Sequence, residues 1–307
     1  MSRDLSELPP GFKSGFVTLL GKPNVGKSTL LNRLIGQHIS ITADKPQTTR
    51  NRIRGIVSDP AYQAVILDTP GVHLPQNELH RRIVSYAVQS IRDSDLVFFL
   101  PEPVSKGQQA ISKDDQLVLE HLSQSDATII LLINKVDLSR HEEILRSIAM
   151  LNEVYPFEET VPISALKGTG VDILKGFFAQ YLPDGIPYFP TDQMTDTPER
   201  EIVGELVREQ IMRLCFHEIP YGVAVFVDAF KEEGKLIRIF ATIYTERTAH
   251  KKIIIGKNGA MMKRIGQNSR VKIERLLGIK VFLSLHVKIA KNWVNNPRRL
   301  TELGYED

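Results

Sequence analysis

Along residues 16–182, short apolar runs alternate with longer stretches in which apolar side chains recur every three to four positions. The runs at 16–20, 64–67, 96–100, 129–133 and 160–163 have the length of buried strands. The stretches at 29–35, 78–91, 113–123 and 141–154 carry the helical period. Strands that alternate with helices pair in parallel, because each crossover helix packs back onto the sheet. This part therefore predicts an α/β fold with a mostly parallel sheet covered on both faces.

After residue 198 the order changes. Residues 199–216 read as a helix with apolar positions at 202, 203, 206, 207, 211, 214 and 215, and Cys215 on that face reads as core. Strand patterns at 221–230 and 236–244 are joined by Lys231-Glu232-Glu233-Gly234-Lys235, a hairpin signal. The run Ile253-Ile254-Ile255-Gly256-Lys257-Asn258-Gly259 leads into an amphipathic helix at 260–277 and a last strand at 281–287. Four prolines (Pro183, Pro187, Pro190 and Pro198) interrupt any periodic structure between the two parts. The expected organisation is a first domain over 1–182, a linker over 183–198 and a second domain over 199–307.

Composition excludes several classes. With 307 residues, 42% hydrophobic and 24% charged, the chain is neither collagen-like nor mostly disordered. No apolar run approaches the roughly 20 residues needed to cross a bilayer. Met1-Ser2-Arg3-Asp4 lacks a secretory pattern, and a single cysteine suits a reducing compartment, so a cytoplasmic location is expected. The net charge of +3 hides an asymmetry: 19 Lys+Arg against 23 Asp+Glu over 1–198, then 20 against 13 over 199–307. Residues 247–299 hold 14 basic residues and one acid, Glu274, which predicts a basic binding surface on the second unit. A merely solvated charged face is the plainer alternative.

Gly21-Lys22-Pro23-Asn24-Val25-Gly26-Lys27-Ser28 matches GxxxxGK[ST] between a strand and a helix, the context a phosphate-binding loop requires. Glycines let successive backbone N–H groups of this loop, continuing to Thr29, face the phosphates at a helix N-terminus. Lys27 would reach the β- and γ-phosphates and the Ser28 hydroxyl would ligate Mg²⁺. Asp68-Thr69-Pro70-Gly71 follows a strand; Asp68 can hold Mg²⁺ through water, and Gly71 can bring its N–H to the γ-phosphate. Asn134-Lys135-Val136-Asp137 follows another strand. The Asp137 carboxylate can accept from both N1–H and the 2-amino group of guanine, whereas adenine would leave it unpaired, which argues against an ATP-driven motor or kinase. Ser164-Ala165-Leu166-Lys167 would offer a backbone N–H to guanine O6, or Ser164 would simply cap a helix.

These four elements, in this order, resemble the translation-factor-type branch of the GTPase superfamily over residues 16–182. The resemblance implies a Ras-like P-loop GTPase domain with a first switch around 37–54 containing Gln47-Thr48-Thr49-Arg50. One threonine there would close over Mg²⁺ and the γ-phosphate; Thr49 is favoured and Thr48 stays open. Lys27, Thr49 and Gly71 would then act at the phosphates, and Ser28, Thr49 and Asp68 at the metal. The water-orienting glutamine expected after DxxG is replaced by Val72, with His73 next. In similar families an asparagine at the place of Asn24 coordinates K⁺, so K⁺ joins Mg²⁺ as an expected cofactor; His73 as a water-positioning base is a weaker alternative.

The second unit resembles a type II KH domain, an α+β fold whose GxxG loop clamps single-stranded RNA. That resemblance makes Gly256, Lys257, Asn258 and Gly259 the clamp. Lys251, Lys252, Lys263 and Arg264 become phosphate contacts, and Ile253, Ile254 and Ile255 the lining of the base groove. A GTPase domain followed directly by such a KH domain resembles the bacterial GTPases that assist small-subunit ribosome assembly. This implies GTP and GDP, the 3′ region of 16S rRNA and the 30S subunit or its precursor as partners of a monomer. It also implies a weak peripheral contact with the inner membrane face. For the cationic segment 288–299 with Trp293, RNA binding or KH packing is favoured over membrane binding, since no large apolar face is evident. The alternative function is an RNA-binding KH protein that uses bound GTP or GDP as a sensor with negligible turnover.

Overall fold

The computed structural model describes residues 8–43, 45, 48–50, 53–72, 77–104, 110–216 and 219–305. The chain forms two compact units. Unit 1 draws on 1–40, 49–74 and 83–196, and unit 2 on 41–48, 75–82 and 197–307.

Unit 1 is built on β1 (Lys13–Leu20), β2 (Ile53–Ser58), β3 (Tyr62–Asp68), β4 (Leu96–Phe99), β5 (Thr128–Ile133) and β6 (Glu159–Pro162). They form one sheet in the order β2-β3-β1-β4-β5-β6. All neighbours run parallel except β2 with β3. The helices are α1 (Lys27–Ile35), α2 (Glu78–Arg92, from Ile83 onward in this unit), α3 (Lys113–Leu122), α4 (His141–Val154) and α5 (Val171–Tyr181). Val17, Leu19, Ile130 and Leu132 pack with α1 and α5 residues such as Leu30 and Phe178. Leu20, Val97, Phe99 and Leu131 pack with α2, α3 and α4 residues such as Ala87, Val118 and Leu151. Chain order reverses on either side of β1, so a crevice opens at its carboxyl end, where the phosphate loop begins.

Three features depart from the sequence reading. The antiparallel strand β2 is an edge strand whose exposed Arg54 and central Gly55 blur the apolar signal. Helix α5 was not read from the pattern. The proline-rich stretch after 182 is not a free tether through residue 196: Ser14 N–H donates to Pro183 O (3.0 Å), Gln63 Nε2 to Phe189 O (2.8 Å) and Ile56 N–H to Met194 O (2.8 Å). Proline lacks an N–H but keeps its carbonyl, so such a segment can still lie along a strand as acceptor.

Unit 2 contains α6 (Glu199–Leu214), β7 (Val223–Glu233), β8 (Leu236–Thr245), α7 (Thr248–Ile255), α8 (Ala260–Leu277), β9 (Lys280–Ile289) and a short α9 (Pro297–Glu302). The sheet order is β7-β8-β9, antiparallel then parallel. The strands of the hairpin run to Glu233 and from Leu236, so only Gly234 and Lys235 form the turn. One sheet face packs under α6, α7 and α8 through Val223, Val227, Ile239, Ile243, Ile254, Ile265 and Ile273. Cys215 is buried in this core, as expected from its position on the apolar face of α6, and burial raises its thiol pKa. Trp293 is fully buried, stacks on Tyr305 at 5.8 Å and donates its indole N–H to Gly222 O (3.2 Å). The only tryptophan of the 288–299 segment thus serves packing. Among the described residues no helix is long and apolar enough to cross a membrane.

Helix α6 also carries buried charge. Arg208 bonds Glu205 (2.6 Å) and the Thr48 carbonyl, while Glu209 accepts from Arg213 (2.8 Å) and Lys272 (2.6 Å). Glu209 also accepts the Thr42 N–H at 3.3 Å. Residues 41–48, read as part of a nucleotide-sensing segment, thus group with unit 2.

Candidate functional site

The turn after β1 carries Asn24 at φ 65°, a left-handed conformation that asparagine tolerates. Lys27, the first residue of α1, is 6% exposed and donates to the carbonyls of Gly21 (2.9 Å) and Lys22 (2.7 Å). Its ammonium therefore folds over the loop that the phosphates would enter. Burial drives its pKa down to about 8, with Asp68 partly opposing. Bound phosphate would restore the charged form, so between this value and the ordinary 10.5 nucleotide binding takes up a proton. Affinity should fall as pH rises through that window. Calorimetry at about pH 8.5 in buffers of different ionisation enthalpy should register uptake of most of one proton. No buffer dependence there, compared with the same experiment at neutral pH, would overturn the lowered Lys27 pKa of the free protein.

Asp68 ends β3 and is fully buried. One carboxylate oxygen accepts from Ser40 (2.6 Å) and from Thr49 (3.5 Å), and Ser28 Oγ lies 2.8 Å from Thr49 Oγ1. The other oxygen, Oδ1, is buried with no hydrogen-bond partner. Burial raises the Asp68 pKa, while the Ser28, Ser40 and Thr49 hydroxyls and the Lys27 ammonium oppose it. A buried carboxylate with an unused oxygen beside two hydroxyls suits a hard cation that keeps several waters. No group of three or more His, Cys, Asp or Glu is found among the described residues, so Mg²⁺ here would rely on hydroxyls and nucleotide phosphates. Thr48 points elsewhere: its hydroxyl donates to Lys45 O at 2.7 Å. Ser40 was not singled out from the sequence; only its place in the switch range could have flagged it.

The Asp68-Gly71 turn is fastened to the phosphate loop. Val72 N–H donates to Gly21 O (3.1 Å), and a Cβ on Gly71 would collide with the Pro23 backbone. Only glycine permits that approach. Val72 itself is 1% exposed and packs in the core, so the usual position of a water-orienting side chain is apolar and turned inward. His73, the alternative base, lies outside the described residues, as does Gln47.

The base-reading loops meet through Asn134. Its Nδ2 donates to Val25 O (2.7 Å) and its Oδ1 accepts from Ala165 N–H (3.0 Å), joining the phosphate loop to 164–168. In this arrangement the Ala165 amide is engaged by Asn134. Asp137 Oδ1 accepts from the Ser164 hydroxyl (2.7 Å), and Ser164 Oγ accepts from Lys167 N–H (3.0 Å). Ser164 thus stabilises a turn and orients the carboxylate, a role not read from the sequence; it does not cap a helix, since α5 begins at Val171 after Gly170. Lys135 sits at φ 68° beside it. Arg33 of α1 donates to the carbonyls of Ala165 (3.2 Å) and Leu166, a contact that no sequence motif announced.

In unit 2 the GxxG turn links α7 to α8. Gly256 adopts φ 73°, and a Cβ there would lie 2.7 Å from Met261 Cβ and 2.8 Å from its N. Lys252, Lys257, Asn258, Lys263 and Arg264 are exposed around it, and Lys251 is half-buried. Ile253 is exposed and Ile255 half-buried, but Ile254 is 0% exposed and belongs to the core. The expectation that Ile254 lines the base groove is corrected: on a helix, three consecutive residues cannot all face one side.

Residues 16–135 match the family model described as a 50S ribosome-binding GTPase, and residues 218–294 match the KH domain model. The chain is 49% identical to GTPase Era of Geotalea uraniireducens over 296 residues, 96% of this chain and 98% of that one. It is 44% identical to GTPase Era of Clostridium botulinum (strain Eklund 17B) over 96% of this chain and 99% of that one. A crystal structure of Aquifex aeolicus Era bound to GDP·AlF4⁻ superposes with a TM-score of 0.91 at 36% identity, covering 96% of this chain and 100% of that one. The same score, identity and coverage hold for Era in complex with MgGDPNP and nucleotides 1506–1542 of 16S ribosomal RNA. Site geometry, domain order and near-complete coverage agree, and the chain belongs to the GTPase Era family.

Proposed function

We propose that this chain is a GTP-hydrolysing switch that binds the 3′ region of 16S rRNA through unit 2 and assists assembly of the 30S subunit from its precursor. The observation that carries it is the meeting of Ser28, Thr49 and Asp68 beside Lys27, in a chain that also presents a basic GxxG turn. Lys27 and the N–H groups of the 21–29 loop hold the phosphates. Ser28 and Thr49 bind Mg²⁺ directly and Asp68 through water; the ion neutralises charge that develops on the transferred phosphoryl group. Gly71 offers its N–H to the γ-phosphate, and Asn134, Lys135, Asp137, Ser164 and Ala165 form the guanine pocket. The Gly256–Gly259 turn, with Lys251, Lys252, Lys257, Lys263 and Arg264, clamps the RNA backbone, and Ile253 and Ile255 flank the bases. The protein works as a cytoplasmic monomer, and the buried Trp293 argues against a membrane anchor in the 288–299 segment.

Because Val72 cannot orient water, Asn24 would hold K⁺, which would supply positive charge at the reacting phosphates. Turnover should be severalfold faster in potassium than in sodium buffer at equal ionic strength, and equal rates would refute the K⁺ role. Gly256→Asp introduces a side chain where none fits and a negative charge where phosphate should bind. Expected is a roughly 10-fold or greater loss of affinity for an RNA spanning nucleotides 1506–1542, with unchanged intrinsic single-turnover hydrolysis. Retained RNA affinity overturns the clamp; absent hydrolysis in the wild type, with and without RNA, overturns the switch.

A further inference from the structure

The helices of unit 2 cover one face of its sheet and leave the other exposed at three phenyl rings. Phe226 on β7, Phe240 on β8 and Phe282 on β9 are 39%, 37% and 44% exposed. They alternate with the inward residues Val227, Ile239 and Val281, so all three point away from the helices. The register sets them on a diagonal across the sheet. Phe226 lies opposite Thr242, two residues from Phe240, and Phe240 lies opposite Ser284, two residues from Phe282. The Phe240 and Phe282 centroids are 6.0 Å apart. Arg238, opposite Phe282, lays its guanidinium 5.3 Å from that ring and is held there by Glu233 at 2.6 Å. The same face carries Lys280, His286 and Lys288 along β9, all exposed; of its carboxylates, Glu233 is paired with Arg238 and Asp228 is bonded to the Thr242 hydroxyl at 2.7 Å.

We infer that this sheet face is a second RNA surface, a stacking platform for unpaired bases that is distinct from the GxxG turn. Exposed aromatic rings on a small sheet stack nucleobases whatever their sequence, because every base has a π-face; a guanidinium plane does the same. Flanking lysines at the strand edge neutralise the phosphates that such bases carry with them. Charge favours this occupant over a protein: the rings are bordered by Arg238, Lys280, His286 and Lys288, whereas protein docking faces are poor in lysine at their centre. Connectivity favours it too. Strand β9 is an edge strand packed against α7 and α8, the two helices that flank the GxxG turn, so a strand of RNA leaving that turn meets the β9 edge and then the rings. This inference rests on the reading of unit 2 as an RNA clamp.

The test uses the full-length protein with the 1506–1542 RNA and a ladder of truncations from each end. Phe240→Leu and Phe282→Leu keep apolar bulk but remove the π-face; each should weaken binding of the longest RNA roughly 5-fold or more, the low end for a lost stacked base. The defect should vanish for the shortest RNA that the GxxG turn still holds. Phe240→Trp should retain affinity, and its exposed indole should be quenched by the long RNA but not by the short one. If the leucine variants bind every length as the wild type does, while Gly256→Asp loses binding, the platform is overturned and the clamp stands. If Gly256→Asp binds normally, the clamp reading itself fails; a leucine defect in that case would still locate RNA on the sheet. Loss of a protein partner from the leucine variants with RNA binding intact would assign the face to protein docking and overturn the proposal.

Discussion

Asp137→Asn should cost roughly 10²- to 10⁴-fold in GTP affinity, because one charge-assisted hydrogen bond to guanine, worth about 1.5–3 kcal/mol, becomes a donor–donor clash and the other loses its charge. The asparagine side chain has one acceptor and one donor in place of two acceptors. Its NH₂ would face the 2-amino group of guanine, donor against donor. Xanthine carries a carbonyl at that position, so XTP should gain what GTP loses. The variant should fold normally, since the Ser164 hydroxyl that donates to Asp137 Oδ1 at 2.7 Å can donate equally to an amide oxygen. Competition of GTP, ATP and XTP for the purified variant measures the change. Unchanged GTP affinity would remove Asp137 from the base pocket.

The second large effect concerns stability rather than binding. Glu209 is 0% exposed, while its partners Lys272 and Arg213 are 29% and 47% exposed. The two sides of the cluster are therefore not equivalent. Removing Glu209 frees two cations that can turn to water, whereas removing the cations leaves a buried anion with less compensation. The double variant Arg213→Ala/Lys272→Ala should lose about 1–3 kcal/mol, because the buried carboxylate loses both ion-pair partners while keeping the Thr42 N–H and the neighbouring Arg208 guanidinium. Glu209→Gln added to that background should recover part of the loss, because the amide needs no counter-ion. Urea unfolding followed by the fluorescence of Trp293, the one tryptophan and a buried residue of unit 2, reports the loss of packing in that unit. A triple variant less stable than the double one would refute the reasoning.

The same cluster illustrates what could be read from the chain and what could not. Helix α6 was legible from the spacing of Ile202, Val203, Leu206, Val207 and Ile211, and its apolar face is the core face. The pattern was silent about Arg208 and Glu209, which are equally buried. Charged residues mark a solvated face unless something else covers them, and here Thr42 and Thr48 do so, supplying hydrogen bonds. Similarly, β3 was read from Ala64 to Leu67 because a central parallel strand is apolar on both faces. Its antiparallel neighbour β2, at the sheet edge, alternates too weakly to stand out. Ile254 shows the limit at a single residue: a run of three isoleucines predicts apolar surface, but helical rotation sends the middle one into the core.

The chemistry-bearing loops were determined by the sequence alone, because phosphate cradling, base reading and RNA clamping each require particular residue types at fixed short spacing. GxxxxGKS, DxxG, NKxD and GxxG are local patterns, and local geometry is what a linear string encodes. The tertiary structure decided which of two adjacent threonines meets Ser28 and Asp68, since a shift of one residue along an extended segment reverses the direction of the side chain. It also decided that buried charges on α6 join the apolar contact of Ile41 in holding Thr42 and Thr48, and that three phenylalanines distant in sequence share one open face. Those outcomes depend on long-range packing and strand register, which bring together residues that no window of the sequence contains.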